Sequence, residues 1–343
     1  MKGRTVIFKN EPRMIATGTV AGPKECAGVV GKFVDKALSE DTFGEDTYEK
    51  AECKMLTYAV RKSIENGGCK EADIDLLISG DLLNQIISAS FTARDFDFPF
   101  LGVYSACATM AESLAVGAMM IDGGYAKRVV AATGSHFSSA ERQYRYPLEL
   151  GNTRPPQAQW TVTGAGAALL AEASLVADMG GGNGKNRIPV ITSATFGRVV
   201  DYGVTDVNNM GAAMAPAAAD VLLTHLQDTG KRISDYDLIV TGDLGALGSR
   251  LMKDLLWEKG LDVESNHVDC GEIIYKVIED EFQGGSGAGC SAVVLNSYLY
   301  DKLRKGELRR ILFAATGALL STVSSGQGES IPCISHAVSI ECL

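Results

Sequence analysis

The chain is written twice, and an internal repeat constrains a fold more than any local propensity does. Asp73–Leu82 reads DIDLLISGDL and Asp235–Leu244 reads DYDLIVTGDL, a match at an offset of 162 residues. Both are short apolar runs closed by Gly-Asp, the pattern of a buried strand. At the same offset upstream, Glu49–Gly68 and Gly211–Gly230 are predicted helices. Met55, Ala59, Val60 and Ile64 share a helical face in one, and Ala217, Val221, Leu222 and Leu226 share the matching face in the other. A second ungapped match, offset by 183, lays Tyr104–Gly134 over Gly287–Gly317 and puts Cys107 on Cys290. Gly166–Glu172 (GAALLAE) and Ser335–Glu341 (SHAVSIE) match as closing strands. The predicted order in each half is therefore strand, helix, strand, helix, strand, strand.

That alternation predicts mixed sheets with helices packed between and outside them. The polar, glycine-rich stretch Met179–Asn186 (MGGGNGKN) has linker composition and divides the chain into an N-terminal half, residues 1–180, and a C-terminal half, residues 187–343. With 46% apolar and 22% charged residues the chain has the profile of a globular protein. Its net charge of −10 would repel a phosphate backbone, which argues against nucleic acid as a partner. The eight cysteines form no CxxC pair and fit a reducing cytosol. The N-terminal MKGRTVIFKNEPR has no apolar signal region, and no window reaches the ~18 apolar residues of a spanning helix, so any membrane association is expected to be peripheral.

The duplication also predicts a site. In each half a turn of small residues leads into an apolar helix, at Ser105-Ala106-Cys107 and at Gly287-Ala288-Gly289-Cys290. A helix start exposes unpaired N–H groups and the positive end of a dipole. Packed by a pseudo-two-fold axis, the two starts would meet in an anion-friendly pocket, with the Cys107 thiolate favoured there. Alternatively Cys107 is a small buried hydrophobe; Cys290 is expected to pack inside its helix. Of the four histidines, His136 is the strongest candidate, because it follows the strand end Ala131–Ser135, where open α/β sheets place ligand sites. His267 would approach from a loop, His225 would be a surface or capping residue, and His336 would be a satisfied core histidine. Gly134–Arg145, continuing to Trp160, reads as a long inserted loop with binding or dimer-contact residues.

Val103–Thr109 (VYSACAT) resembles the nucleophile turn of the thiolase superfamily, and with the duplicated halves the resemblance covers nearly the whole chain. It implies a five-layer αβαβα fold of two pseudo-symmetric repeats, with Cys107 at the nucleophile position, and a homodimer. The chain departs from the family where catalytic partners should stand. Thr241-Gly242-Asp243-Leu244 replaces a histidine, Gly284–Gly289 replaces an asparagine or histidine turn, and Thr316-Gly317-Ala318 replaces a second cysteine. Of these replacements only Asp243 could act as a base, so the resemblance implies a binding protein on a retired enzyme fold.

A narrower resemblance, carried by SHFSSAERQYRYPLELGNTRPPQAQWTVTGAGA with SGDLLNQ and VYSACATM, is to a family of sporulation proteins of spore-forming Firmicutes. It implies a part in moving dipicolinic acid into the developing spore, beside membrane proteins of the same uptake system. The chain would then be cytoplasmic and peripheral to the forespore or spore inner membrane. The expected ligand is pyridine-2,6-dicarboxylate or its calcium chelate, and no cofactor or resident metal is called for. Ligand-binding candidates are Cys107, Ser105, Ser135, His136, Asp81, Asp243, Ser286 and Gly317. The matched aspartates, Asp81 and Asp243, either cap helices or face calcium carried by the ligand. An acyltransferase using Cys107 with His136 or His267 as base, and a purely structural adaptor, are the competing readings.

Overall fold

A computed structural model of the chain describes residues 3–144, 154–176, 187–276 and 283–342. The expected boundary at Met179–Asn186, and Arg145 to Thr153 of the expected loop, lie outside the described residues.

Ten strands carry the architecture: β1 (Arg13–Ala21), β2 (Leu76–Gly80), β3 (Phe100–Gly102), β4 (Arg128–Ser135), β5 (Gly164–Ala171), β6 (Val190–Phe196), β7 (Leu238–Thr241), β8 (His267–Asp269), β9 (Arg310–Ala318) and β10 (Cys333–Glu341). Their spatial order is β8-β7-β9-β10-β6-β1-β5-β4-β2-β3. Read outward from the centre, the two halves have one topology. β1-β5-β4 and β6-β10-β9 are antiparallel, while β4-β2-β3 and β9-β7-β8 are parallel. The halves meet where Arg13 of β1 pairs with Val190 of β6. The repeat segments at 73–82 and 235–244 thus occupy mirrored strands. The sequence reading omitted β3 and β8, because three-residue edge strands give no legible alternation.

Six helices complete the site's surroundings: α1 (Tyr48–Asn66), α2 (Thr109–Asp122), α3 (Phe137–Tyr144), α4 (Met210–Thr229), α5 (Gly245–Trp257) and α6 (Ala288–Val294). α1 lies on the outer face of β1 and β5, and α4 on the outer face of β9 and β10. α2 is buried nearly all round, because it packs between β4 and β2 on one side and β9 and β10 on the other. All seven residues of α6 are buried beside it. The layers are helix, sheet, helix, sheet, helix. Strand alternation divides the apolar residues accordingly: Leu170 and Phe313 face the central helices, while Leu169 and Leu312 face the outer ones. The described part of that stretch, Gly134–Tyr144, is not an inserted loop, since α3 begins two residues after β4 ends.

Candidate functional site

The strand-to-helix turn at Ser105–Ala108 delivers Cys107 to the junction of the halves. Ala106 has φ 51°, a left-handed conformation that a residue with a Cβ adopts only at a cost. The surroundings hold it there. The end of β9 lies against this turn, and a Cβ on Gly317 would fall 1.9 Å from the Ser105 carbonyl oxygen, so only glycine fits. Gly317 therefore shapes the turn through its backbone. Residues Ala106–Ala108 form a single 3-10 turn before α2 begins.

Cys107 is 5% exposed and floors a small chamber. The walls are Ala140, Glu141 and Tyr144 of α3, with Ser286 and Gly287 of the matching turn, Leu82, Thr161, Met210, Ala318 and Leu320. The chamber measures about 40 Å3, room for a few waters. Tyr104 separates it from an outer cavity of about 510 Å3.

Asp243 is the group that joins the halves. Its Oδ2 accepts hydrogen bonds from Gly287 N at 2.8 Å and Ser286 Oγ at 3.3 Å, and the Cys107 thiol neighbours the same carboxyl. Burial raises the Asp243 pKa to about 7, offset in part by these donors. Burial first, and the Asp243 charge second, push the Cys107 thiol well above its ordinary value. This shift runs opposite to the expected activated thiolate, for a physical reason: burial and a neighbouring carboxylate both favour the protonated thiol. The expected anion-friendly helix starts are likewise occupied from within the chain. Gly287 N is taken by Asp243, and Gly289 N donates to Ser135 Oγ at 3.0 Å.

Of the eight candidates, Cys107 and Ser286 line the chamber, and Asp243 borders it through them. Ser105 turns away and donates to Glu112 Oε2 at 2.8 Å. Ser135 donates to the Val162 carbonyl and pins the α6 start from behind. His136 is fully buried outside the chamber. Its Nδ1 accepts from Ser138 N at 3.1 Å, which leaves Nε2 to donate to the Asp41 carbonyl at 3.0 Å. With both nitrogens engaged, and burial lowering its pKa, it is neither a base nor a free donor at this site. Asp81 takes the capping role, accepting from Leu83 N and Ala89 N at 2.8 and 2.7 Å.

The other histidines also leave the site. His267 lies on strand β8, not a loop, and bonds Thr241 Oγ1 at 2.8 Å. His225 is fully buried rather than at the surface, held between Thr195 Oγ1 and the Tyr236 hydroxyl at 2.7 and 2.6 Å. His336 is buried and accepts from Gly197 N. Cys290 is fully enclosed, as expected. Sequence reasoning missed Tyr104, Tyr144 and Glu141, which reach the chamber from elements that only the folded chain brings together.

The family model of stage V sporulation protein AD matches residues 2–341. The chain belongs to the stage V sporulation protein AD family. It is 44% identical over 338 residues to stage V sporulation protein AD of Bacillus subtilis strain 168, covering 98% of this chain and 96% of that relative. Among solved structures, cerulenin-bound OleA of Xanthomonas campestris superposes with a TM-score of 0.64 at 15% identity, covering 98% of this chain and all of the other. Its acetamide-bound form gives 0.59 at 15% identity with the same coverage. At that identity the likeness speaks to fold alone, and the fold of this family member is thiolase-like, as the nucleophile-turn resemblance implied.

Proposed function

We propose that this chain binds pyridine-2,6-dicarboxylate as its calcium chelate at the Cys107 chamber and does not condense acyl groups. The ligand class comes from the sequence resemblance; the chamber's charge selects the form. Asp243 and Glu141 border it, and no lysine, arginine or histidine is among its described lining residues. A bare dianion would meet carboxyl groups, whereas the chelate carries its own divalent cation, whose remaining coordination positions carboxylates can fill. This acidic, cation-poor lining is the observation that carries the proposal. The chamber is smaller than a ring bearing two carboxylates, so the bound ligand extends past Tyr104 into the outer cavity.

Two features favour binding over catalysis. The thiol is held protonated, and the chamber's described lining holds no histidine to take its proton. A positioned general base is worth about 10²–10⁴-fold in rate, roughly 3–5 kcal/mol of barrier, so a condensing reaction without a dedicated base would be slowed by that factor. Membrane partners of the uptake system, peripheral attachment to the spore's inner membrane and a homodimer belong to the same proposal. No helix among the described residues is long and apolar enough to cross a membrane.

Calorimetry with dipicolinate, with and without calcium, tests the reading on the wild type and on Cys107→Phe, which fills the chamber floor. We expect about micromolar affinity, roughly −8 kcal/mol, for the chelate on the wild type and none on the variant. Equal affinities would move the site elsewhere, and no heat from either protein would leave the structural adaptor.

A further inference from the structure

The inner chamber and the outer cavity share three lining residues, Tyr104, Tyr144 and Leu320, so these side chains form the partition between them. The two phenolic oxygens lie 3.3 Å apart, and the Tyr144 hydroxyl also donates to the Leu82 carbonyl. A phenol has one proton, so with Tyr144 donating to Leu82 the bond between the rings is donated by Tyr104. The two leaves are held unequally. Tyr144 ends α3 and is anchored at Leu82, whereas Tyr104 is 43% exposed and has that one hydroxyl contact among the described residues. Across the outer cavity, Gln85 and Ile86 are consecutive left-handed residues with φ 56° and 47°. A β-branched residue is a clear outlier there, and paired outliers of this kind cluster at ligand sites.

We infer that Tyr104 is the movable leaf of a gate over the Cys107 chamber, held shut by its hydrogen bond to Tyr144 and opened by rotation of its side chain into the outer cavity. Closed, the partition leaves Cys107 almost without solvent contact; open, the two cavities become one. The gate controls entry of any molecule to the chamber, and it does not depend on dipicolinate being the ligand.

The test is alkylation of Cys107 by iodoacetamide in the folded full chain, read by peptide mass mapping without dipicolinate present. Cys290 is the internal control, because it is fully enclosed and lines neither cavity. One neutral hydrogen bond biases an opening equilibrium by roughly three- to tenfold. Tyr104→Phe should therefore label Cys107 about three- to tenfold faster than wild type, and Tyr104→Ala faster still, with Cys290 at its wild-type rate. A bulky maleimide should widen the gap between Tyr104→Ala and wild type. Wild-type labelling rates at Cys107 in both variants would overturn the gate, and so would a rise at Cys290 in step with Cys107, since entry would then be by unfolding. If Tyr104→Ala does not fold, Tyr104→Phe decides alone. A working gate with no dipicolinate heat would sink only the ligand proposal, and the reverse result only the gate.

Discussion

Asp81 and Asp243 stand at matched positions of the repeat, and only Asp243 reaches residues that line the chamber. Asp81 closes on its own half, capping Leu83 N and Ala89 N. Asp243 reaches across to Gly287 N and Cys107. The edge strands explain the difference. Leu77 pairs with Phe100 and Ile239 with His267, so by register Gly102 of β3 corresponds to Asp269 of β8. Asp269 accepts from Leu244 N, Gly245 N, Glu272 N and Thr241 Oγ1, which satisfies the start of α5. Glycine supplies no such carboxylate in the first half. The first aspartate is held to capping, and the second is released to become a site group.

Removing the substitute cap should give the largest effect. Asp269→Ala removes the acceptor of three backbone donors, Leu244 N, Gly245 N and Glu272 N, and each buried unsatisfied group costs about 1–3 kcal/mol, though not additively. We expect a loss of about 3–5 kcal/mol in urea unfolding. Chelate binding should fall as well, because Asp243 becomes the nearest carboxylate for the bare Leu244 and Gly245 N–H groups. Unchanged chelate binding in a folded Asp269→Ala would break the claimed exchange of roles.

The matched aspartates should then separate stability from binding. Asp81→Ala should cost about 2 kcal/mol of unfolding free energy and leave calorimetric affinity for the chelate unchanged. Asp243→Asn keeps an acceptor for Gly287 N, so it should cost under about 1 kcal/mol in stability yet weaken the chelate about tenfold by removing a carboxylate beside a cation. Reversed assignments would show that Asp81, and not Asp243, is the site carboxylate.

A smaller effect follows from pH. Burial raises Asp243 to about 7, Asp81 to about 6 and Asp269 to about 6, above ordinary carboxyl values. The folded state therefore holds protons that the unfolded state has released, and this stabilisation is lost as pH rises through about 6 to 7. Burial lowers His225 and His336 to about 4 and His267 to about 3. Those groups destabilise the fold as pH falls below the unfolded value near 6.5. The two sets oppose each other below about 6, and only the carboxyls act above 6.5. Thermal midpoints should therefore fall between pH 6 and 8, less steeply in Asp243→Asn. Chelate affinity should run the other way, weakening below pH 7 as Asp243 takes up its proton, with no such slope in Asp243→Asn.

The duplication was legible because buried strands and an outer helix face keep their apolar pattern in both copies, and this carried the topology. Cys107 and Asp243 were legible as repeat-matched residues, but not their meeting, which needs the halves packed together. Asp269 was missed as a cap because β8 has only three residues, too few to alternate. The polar run SHFSSAERQYR hid α3, whose buried residues Ser138, Ser139, Ala140 and Glu141 are mostly hydrophilic. His136 was chosen by its place after a strand end, a rule that locates a sheet edge and says nothing of which side chains turn inward.

The smallest expected effect concerns the two matched cysteines, and it bears on whether the sulfur has any chemical role. Cys290 is fully enclosed and its thiol donates to the Gly242 carbonyl at 3.5 Å, so Cys290→Ala empties packed space and should cost about 1–2 kcal/mol. Cys107 has the chamber on one side, and truncating it enlarges a space that already exists instead of emptying a packed one. Cys107→Ala should therefore cost under about 1 kcal/mol in stability. It should change chelate affinity by no more than about threefold, since one weak thiol contact with Asp243 is all that is lost. No turnover of acyl-CoA should be detectable in either the wild type or the variant. The assay is paired: chelate calorimetry, and mass spectrometry for an acyl adduct on Cys107. A variant that binds like wild type while neither protein carries an adduct leaves the thiol as chamber floor. An adduct on the wild type, or loss of binding in Cys107→Ala at full stability, would mean that the raised thiol pKa is overcome by the bound ligand and that the first half kept its nucleophile.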